Sequence, residues 1–136
     1  MSQQLNILYV EDDIGSRRVM EVICNMIITD AKLTMFEESN NFMDRVAALD
    51  PSPNLILLDI HVEPIGGFEM LELLRQSGKY SDVPIVALTA SVMNEEIQKL
   101  KSAGFSSVIA KPVNVDTFPL QLERIMSGEN VWNILS

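Results

Sequence analysis

Three short apolar runs, Ile7 to Val10, Leu55 to Leu58 and Val83 to Leu88, constrain the fold most. Each is too short for an ordinary helix and is followed by polar or small residues, which is the pattern of a strand buried on both faces. Between the runs the apolar period changes. Val19, Ile23 and Met26, then Phe42, Val46 and Leu49, then Met93, Ile97 and Leu100, and finally Phe118, Leu122 and Ile125 recur at helical spacing. Each set predicts one helix facing a core. Ser39 is the expected cap of a helix over Asn40 to Leu49, which Pro51 and Pro53 stop. Gly66 and Gly67 precede another over Phe68 to Arg75, which Ser77-Gly78 ends. A strand followed by a helix, repeated about five times, implies an α/β fold: a doubly wound parallel sheet with helices on both faces, joined by right-handed crossovers.

Two further strands are weaker in sequence. Lys32 to Phe36 alternates Leu33 and Met35 with Lys32 and Thr34, as an edge strand does, and Val108 to Ala110 is short enough to be the other edge. With the fully apolar runs in the middle, the favoured order of the five strands is 2-1-3-4-5.

A length of 136 residues suits one domain with a core of its own. The apolar residues, 47% of the chain, never gather into the stretch of roughly 20 that spans a bilayer, so no membrane insertion is expected. Met1 to Asn6 lack the features of a secretory signal, and the lone Cys24, set among Val22, Ile23 and Met26, reads as a buried thiol. Both fit a cytoplasmic protein. A formal charge of -9 opposes attraction to phosphate backbones and argues against direct nucleic-acid binding.

In open parallel sheets ligands bind beyond the carboxyl ends of the strands, where the strand order reverses. Here those ends carry Glu11-Asp12-Asp13, Asp59, Thr89 and Lys111. Any one of them has an ordinary explanation; Asp13, for instance, could simply cap the helix that follows. Four strand ends delivering polar groups to one rim is harder to explain that way. Converging carboxylates repel one another unless a cation neutralises them, and magnesium is the hard cation that takes a few carboxylates while leaving room for phosphate oxygens. A carboxylate so placed is a nucleophile toward a phosphoryl group. Asp59 would attack, Lys111 would supply an ammonium, and the Thr89 hydroxyl would bond a phosphate oxygen.

Together Ile7-Leu8-Tyr9-Val10-Glu11-Asp12-Asp13, Leu57-Leu58-Asp59, Ala87-Leu88-Thr89-Ala90 and Ala110-Lys111-Pro112 resemble the receiver domains of two-component response regulators, of the chemotaxis-type single-domain kind. The resemblance covers residues 5–126, leaving 127–136 as a short tail, and Gly67, Phe68, Glu69 and Gly104 add to it. It implies a flavodoxin-like fold, Asp59 as the phosphoacceptor, and magnesium held by Asp12, Asp59 and the backbone carbonyl of His61, with Glu11 acting mainly through water. Thr89 becomes the switch hydroxyl, Lys111 the phosphate-binding lysine, and the Lys111-Pro112 bond is expected to be cis. The implied phosphodonor is a histidine kinase or histidine phosphotransfer protein. The implied output is a downstream protein target read through the fourth helix, fifth strand and fifth helix. Such a domain catalyses only its own phosphorylation and dephosphorylation.

Two positions depart from the family pattern. Val108 stands where an aromatic residue is usual, so an aromatic relay is not expected, and Glu63 occupies the usual proline position, with Pro64 following. His61, the only histidine, reads as a surface loop residue. Val131, Trp132, Ile134 and Leu135 are apolar for a chain end and are expected to fold back on the domain. Three other functions compete. A haloacid-dehalogenase-type phosphatase needs an acid two residues after the nucleophile, where His61 stands. A flavodoxin-like flavin binder needs a hydroxyl- and glycine-rich loop where Glu11-Asp12-Asp13 stands. A receiver-like interaction module that works without phosphorylation is the alternative that remains.

Overall fold

The sheet is assembled from strands whose apolar residues have nowhere to go but inward. In a computed structural model describing residues 4–91 and 93–132, β1 (Asn6–Val10), β3 (Leu55–Asp59) and β4 (Ile85–Thr89) are flanked by β2 (Lys32–Phe36) and β5 (Ser107–Ala110). The order is β2-β1-β3-β4-β5, all parallel, with Ile7 opposite Leu33 and Leu55, Ile56 opposite Ile85, and Ala87 opposite Val108. Every residue of β3 and β4 is buried, as the unbroken apolar runs require.

Alternate residues of each strand enter different cores. Leu8, Val10, Ile56, Leu58, Ile85, Ala87 and Val108 meet α2 (Phe42–Ala47), α3 (Gly67–Ser77) and α4 (Asn94–Ala103) on one face. Ile7, Tyr9, Leu55, Leu57, Val86, Leu88 and Ile109 meet α1 (Ile14–Met26) and α5 (Phe118–Met126) on the other. The doubly wound α/β architecture is thus present in full.

Helix ends follow local chemistry. Asp13 caps α1, accepting the Ser16 N–H at 2.8 Å, and Gly78, at φ 74°, closes α3 in the left-handed conformation that glycine adopts without strain. At the start of α3, a Cβ on Gly67 would lie 2.9 Å from Ile60 Cα, so only glycine lets the helix begin against the loop after Asp59.

Four expectations need correction. The helix expected over Asn40 to Leu49 is only Phe42–Ala47, entered through a left-handed Asn41. Ser39 does not cap it. Its hydroxyl donates to the Ile65 carbonyl at 2.7 Å and accepts the Ile65 N–H at 2.8 Å, fastening the loop after β3. Met26 and Met93, expected to face a core, are 75% and 69% exposed; Met20 and Cys24 join Ile23 inside α1 instead. In the tail Val131 is buried and Trp132 packs on the α2-α3-α4 side, as a fold-back demands, whereas Ile134 and Leu135 lie outside the described residues.

Candidate phosphoacceptor site

The carboxyl ends of β1 and β3 lie side by side, Val10 opposite Leu58, so Glu11 and Asp12 emerge next to Asp59. Glu11 is held in place by its backbone. Its N–H donates to the Phe36 carbonyl at 3.0 Å, and its own carbonyl accepts from Arg17 Nη1 at 2.9 Å. Arg17 Nη2 also pairs with Glu37 at 3.2 Å, tying α1, β1 and β2 together under the site.

Glu11, Asp12 and Asp59 can each offer a carboxylate oxygen within 4.8 Å of the others. Glu11 and Asp59 are buried and Asp12 is exposed. Lys111 reaches in from the end of β5, its Nζ 2.8 Å from Glu11 Oε1 and 3.5 Å from Asp59 Oδ2. One ammonium therefore faces three carboxylates. At an effective dielectric of about 20, like charges about 5 Å apart repel by roughly 3 kcal/mol, so Lys111 alone leaves the cluster short of positive charge.

Protonation equilibria respond accordingly. Burial, and then the neighbouring Asp59 carboxyl, push Glu11 above the usual carboxylate range, against the bonds it accepts from Lys111 and Tyr9. Burial and the adjacent Glu11 drive the Tyr9 phenol far up, so it stays protonated and donates to Glu11 Oε1 at 2.8 Å. For Lys111, burial favours the neutral amine most strongly of any single influence, but Glu11 and Asp59 together outweigh it and hold the ammonium above its ordinary value.

The donor set fits a hard divalent cation. Both Glu11 oxygens have partners, Tyr9 and Lys111 at Oε1 and the Asp13 N–H at Oε2, 3.2 Å away, whereas Asp12 faces solvent. Among the described residues Asp59 Oδ1 accepts only a long bond, 3.3 Å, from the His61 N–H. Asp13 is occupied as the cap of α1, and its Ser16 bonds hold it below the usual carboxylate range.

The Thr89 hydroxyl, buried at the end of β4, is turned to its own loop. It accepts the Ser91 N–H at 3.1 Å and approaches the Ser91 carbonyl at 3.4 Å. The Thr89 carbonyl accepts the Lys111 N–H at 2.9 Å, so the two strand ends are joined through backbone. The Lys111-Pro112 peptide is cis, and the His61 side chain is exposed.

The family model of the response regulator receiver domain matches residues 7–123. The chain belongs to that family. It is a regulatory signalling domain of two-component systems rather than a classical enzyme. Among its relatives, the two-component response regulator ARR17 of Arabidopsis thaliana is 26% identical over 125 residues, 85% of this chain and 80% of that protein. The polar-differentiation response regulator DivK of Brucella anthropi is 30% identical over 71 residues, 52% of this chain and 58% of that protein. The chemotaxis response regulator CheY4 of Vibrio cholerae has the same fold, with a TM-score of 0.80 at 21% identity over 90% of this chain and 99% of that one.

The structure brings Glu11, Asp12, Asp59 and Lys111 together and leaves Thr89 facing Ser91. Tyr9 and Arg17 are the site residues that sequence reasoning passed over. Tyr9 was legible in principle: two residues from Glu11, it shares that side of the strand. Arg17 carried no such signal, because its acceptor is a backbone carbonyl.

Proposed function

We propose that this receiver accepts a phosphoryl group on Asp59 from a histidine kinase or histidine phosphotransfer protein, and signals by changing which downstream protein binds its α4-β5-α5 face. The observation that carries this reading is the Lys111 ammonium set between Glu11 and Asp59 at the reversal of strand order. In this reading residues 5–126 form the receiver unit, 127–136 the tail, and the setting is cytoplasmic; among the described residues no helix is long and apolar enough to cross a membrane.

The residues divide the work by position. An Asp59 carboxylate oxygen attacks the donor phosphorus, the bond from phosphorus to the donor nitrogen or oxygen breaks, and the leaving group keeps the electron pair. Lys111 holds a phosphoryl oxygen as its charge develops, and Thr89 turns from Ser91 to bond another. Asp12, Asp59 and the His61 carbonyl would hold magnesium directly, with Glu11 contributing through water. When bound, that ion supplies the positive charge the three carboxylates lack.

Treatment with acetyl phosphate, with and without magnesium, followed by intact mass spectrometry tests the reading. Wild type gains one phosphoryl group only with magnesium, and Asp59→Asn gains none while keeping its fold. A full adduct on the Asn variant removes Asp59 from the role. A folded wild type that is never labelled favours the alternative, an interaction module that works without phosphorylation.

A further inference from the structure

β5 is an edge strand, and the groups on its outer side need partners. The tail supplies one. The Val108 N–H donates to the Val131 carbonyl at 2.9 Å, and the Val131 N–H donates to the buried Ser107 Oγ at 2.8 Å. From this clip two consecutive side chains part across the sheet edge. Val131 joins Ile109, Phe118, Leu122 and Ile125 under α5. Trp132 packs on the opposite cluster, which contains Leu100, Phe105 and Val108, and the Lys101 ammonium of α4 stands 5.1 Å from the centre of its ring, within cation–π range.

Two residues of the tail thus touch α4, β5 and α5 at once. We propose that Val131-Trp132 is a strap that closes this face in the resting protein and is released when the Asp59 site is filled, so that a docking protein and the strap compete for one surface. The inference rests on the phosphoacceptor reading above.

The strap grips two elements that the site moves by different routes. Its backbone bonds are to β5, which runs into Lys111. Its indole lies against α4, which follows the loop that Thr89 holds through Ser91. Phosphoryl oxygens are charged acceptors, stronger than the neutral backbone of Ser91, so Thr89 drawn toward them frees that loop and lets α4 shift against β5. A ring seated across both elements loses its fit when they move apart, because packing forces fall steeply with a small gap.

Trp132 is the only tryptophan, so its emission reports the strap in the intact chain. At rest it should emit at shorter wavelength than free indole and resist acrylamide. Ser107→Ala, which removes the acceptor for the Val131 N–H, should shift emission to longer wavelength and raise quenching severalfold. Magnesium with beryllofluoride, a phosphoryl mimic, should do the same to wild type and nothing to Asp59→Asn. Resting emission and quenching equal to those of free indole would overturn the strap itself. A melting temperature raised by the mimic with Trp132 emission unchanged would overturn its release. No melting response to the mimic at all would instead overturn the Asp59 reading, and the release with it.

Discussion

At the amino ends of the strands, Asn54 accepts the Asn6 N–H at 2.7 Å and donates to the Gln4 carbonyl at 2.8 Å. Arg75 donates to the carbonyls of Tyr80, Val83 and Gly104 and to Ser106 Oγ, at 3.0 to 3.4 Å, and Ser106 Oγ accepts the Ile85 N–H. There polar side chains serve the backbone. At the carboxyl ends the relation is reversed: the Asp13 and His61 N–H groups and the Arg17 bond to the Glu11 carbonyl hold carboxylates close to one another, with Lys111 as the one cation among the described residues salt-bridged to them. The amino end is paired almost throughout, with Asn6 Oδ1 left without a partner, whereas the carboxyl end crowds like charges that the Lys111 ammonium only partly balances. That difference is what separates polar residues that build the fold from polar residues that use it.

The amino-end network depends most on Arg75. Arg75→Met keeps most of the stem but leaves three carbonyls and a hydroxyl without their shared donor, and should destabilise the protein by about 2–3 kcal/mol. Acetyl phosphate labelling of the folded variant should match wild type. Urea unfolding and mass spectrometry measure the two effects, and a stability within error of wild type would show that the amino-end network is dispensable.

Removing a charged group at the other end should have the opposite sign. Asp12→Ala deletes one of three mutually repelling carboxylates, and without metal it should raise stability by about 1 kcal/mol, part of the repulsion being screened by Lys111 and solvent. Magnesium should raise the melting temperature of wild type by mass action and leave this variant nearly unmoved. An equal magnesium response in both proteins would exclude Asp12 as a principal ligand.

Legibility in the sequence followed the same division. The apolar runs Leu55 to Leu58 and Val83 to Leu88 could only be central strands, and Lys32 to Phe36 is a strand to the residue, because burial on both faces or one leaves a direct mark on residue type. Glu11, Asp12, Asp59 and Lys111 were legible because charges at strand ends converge in a parallel sheet. What escaped is set by partners far away in sequence. Ser39 looks like a cap but bonds Ile65, and Arg75, expected only as the end of a helix, serves four residues up to Ser106. Met26 and Met93 fit a helical period yet stand exposed, because Met26 is the last residue of α1 and Met93 precedes the first residue of α4, where the helix no longer sets which side is covered.

The smallest expected effect is on pH, and it belongs to Glu11. Its folded-state pKa is raised, so in the window between the ordinary glutamate value of about 4.3 and that raised value the folded protein holds a proton that the unfolded chain has lost. Its contribution to stability is therefore fully present below the ordinary value and is lost as pH rises through the folded one. Lys111 is also raised, but its contribution persists through neutrality and disappears only as pH climbs past its own elevated value, well outside that window. With a chelator present, urea unfolding between about pH 4 and about pH 7 should show wild type losing stability relative to Glu11→Gln, whose amide cannot ionise. Magnesium, which favours the ionised carboxylates, should flatten the difference. Parallel pH profiles for the two metal-free proteins would mean that Glu11 loses its proton as easily in the fold as in water, and the contrast between the two ends of the sheet would then rest on Asp12 and Asp59 alone.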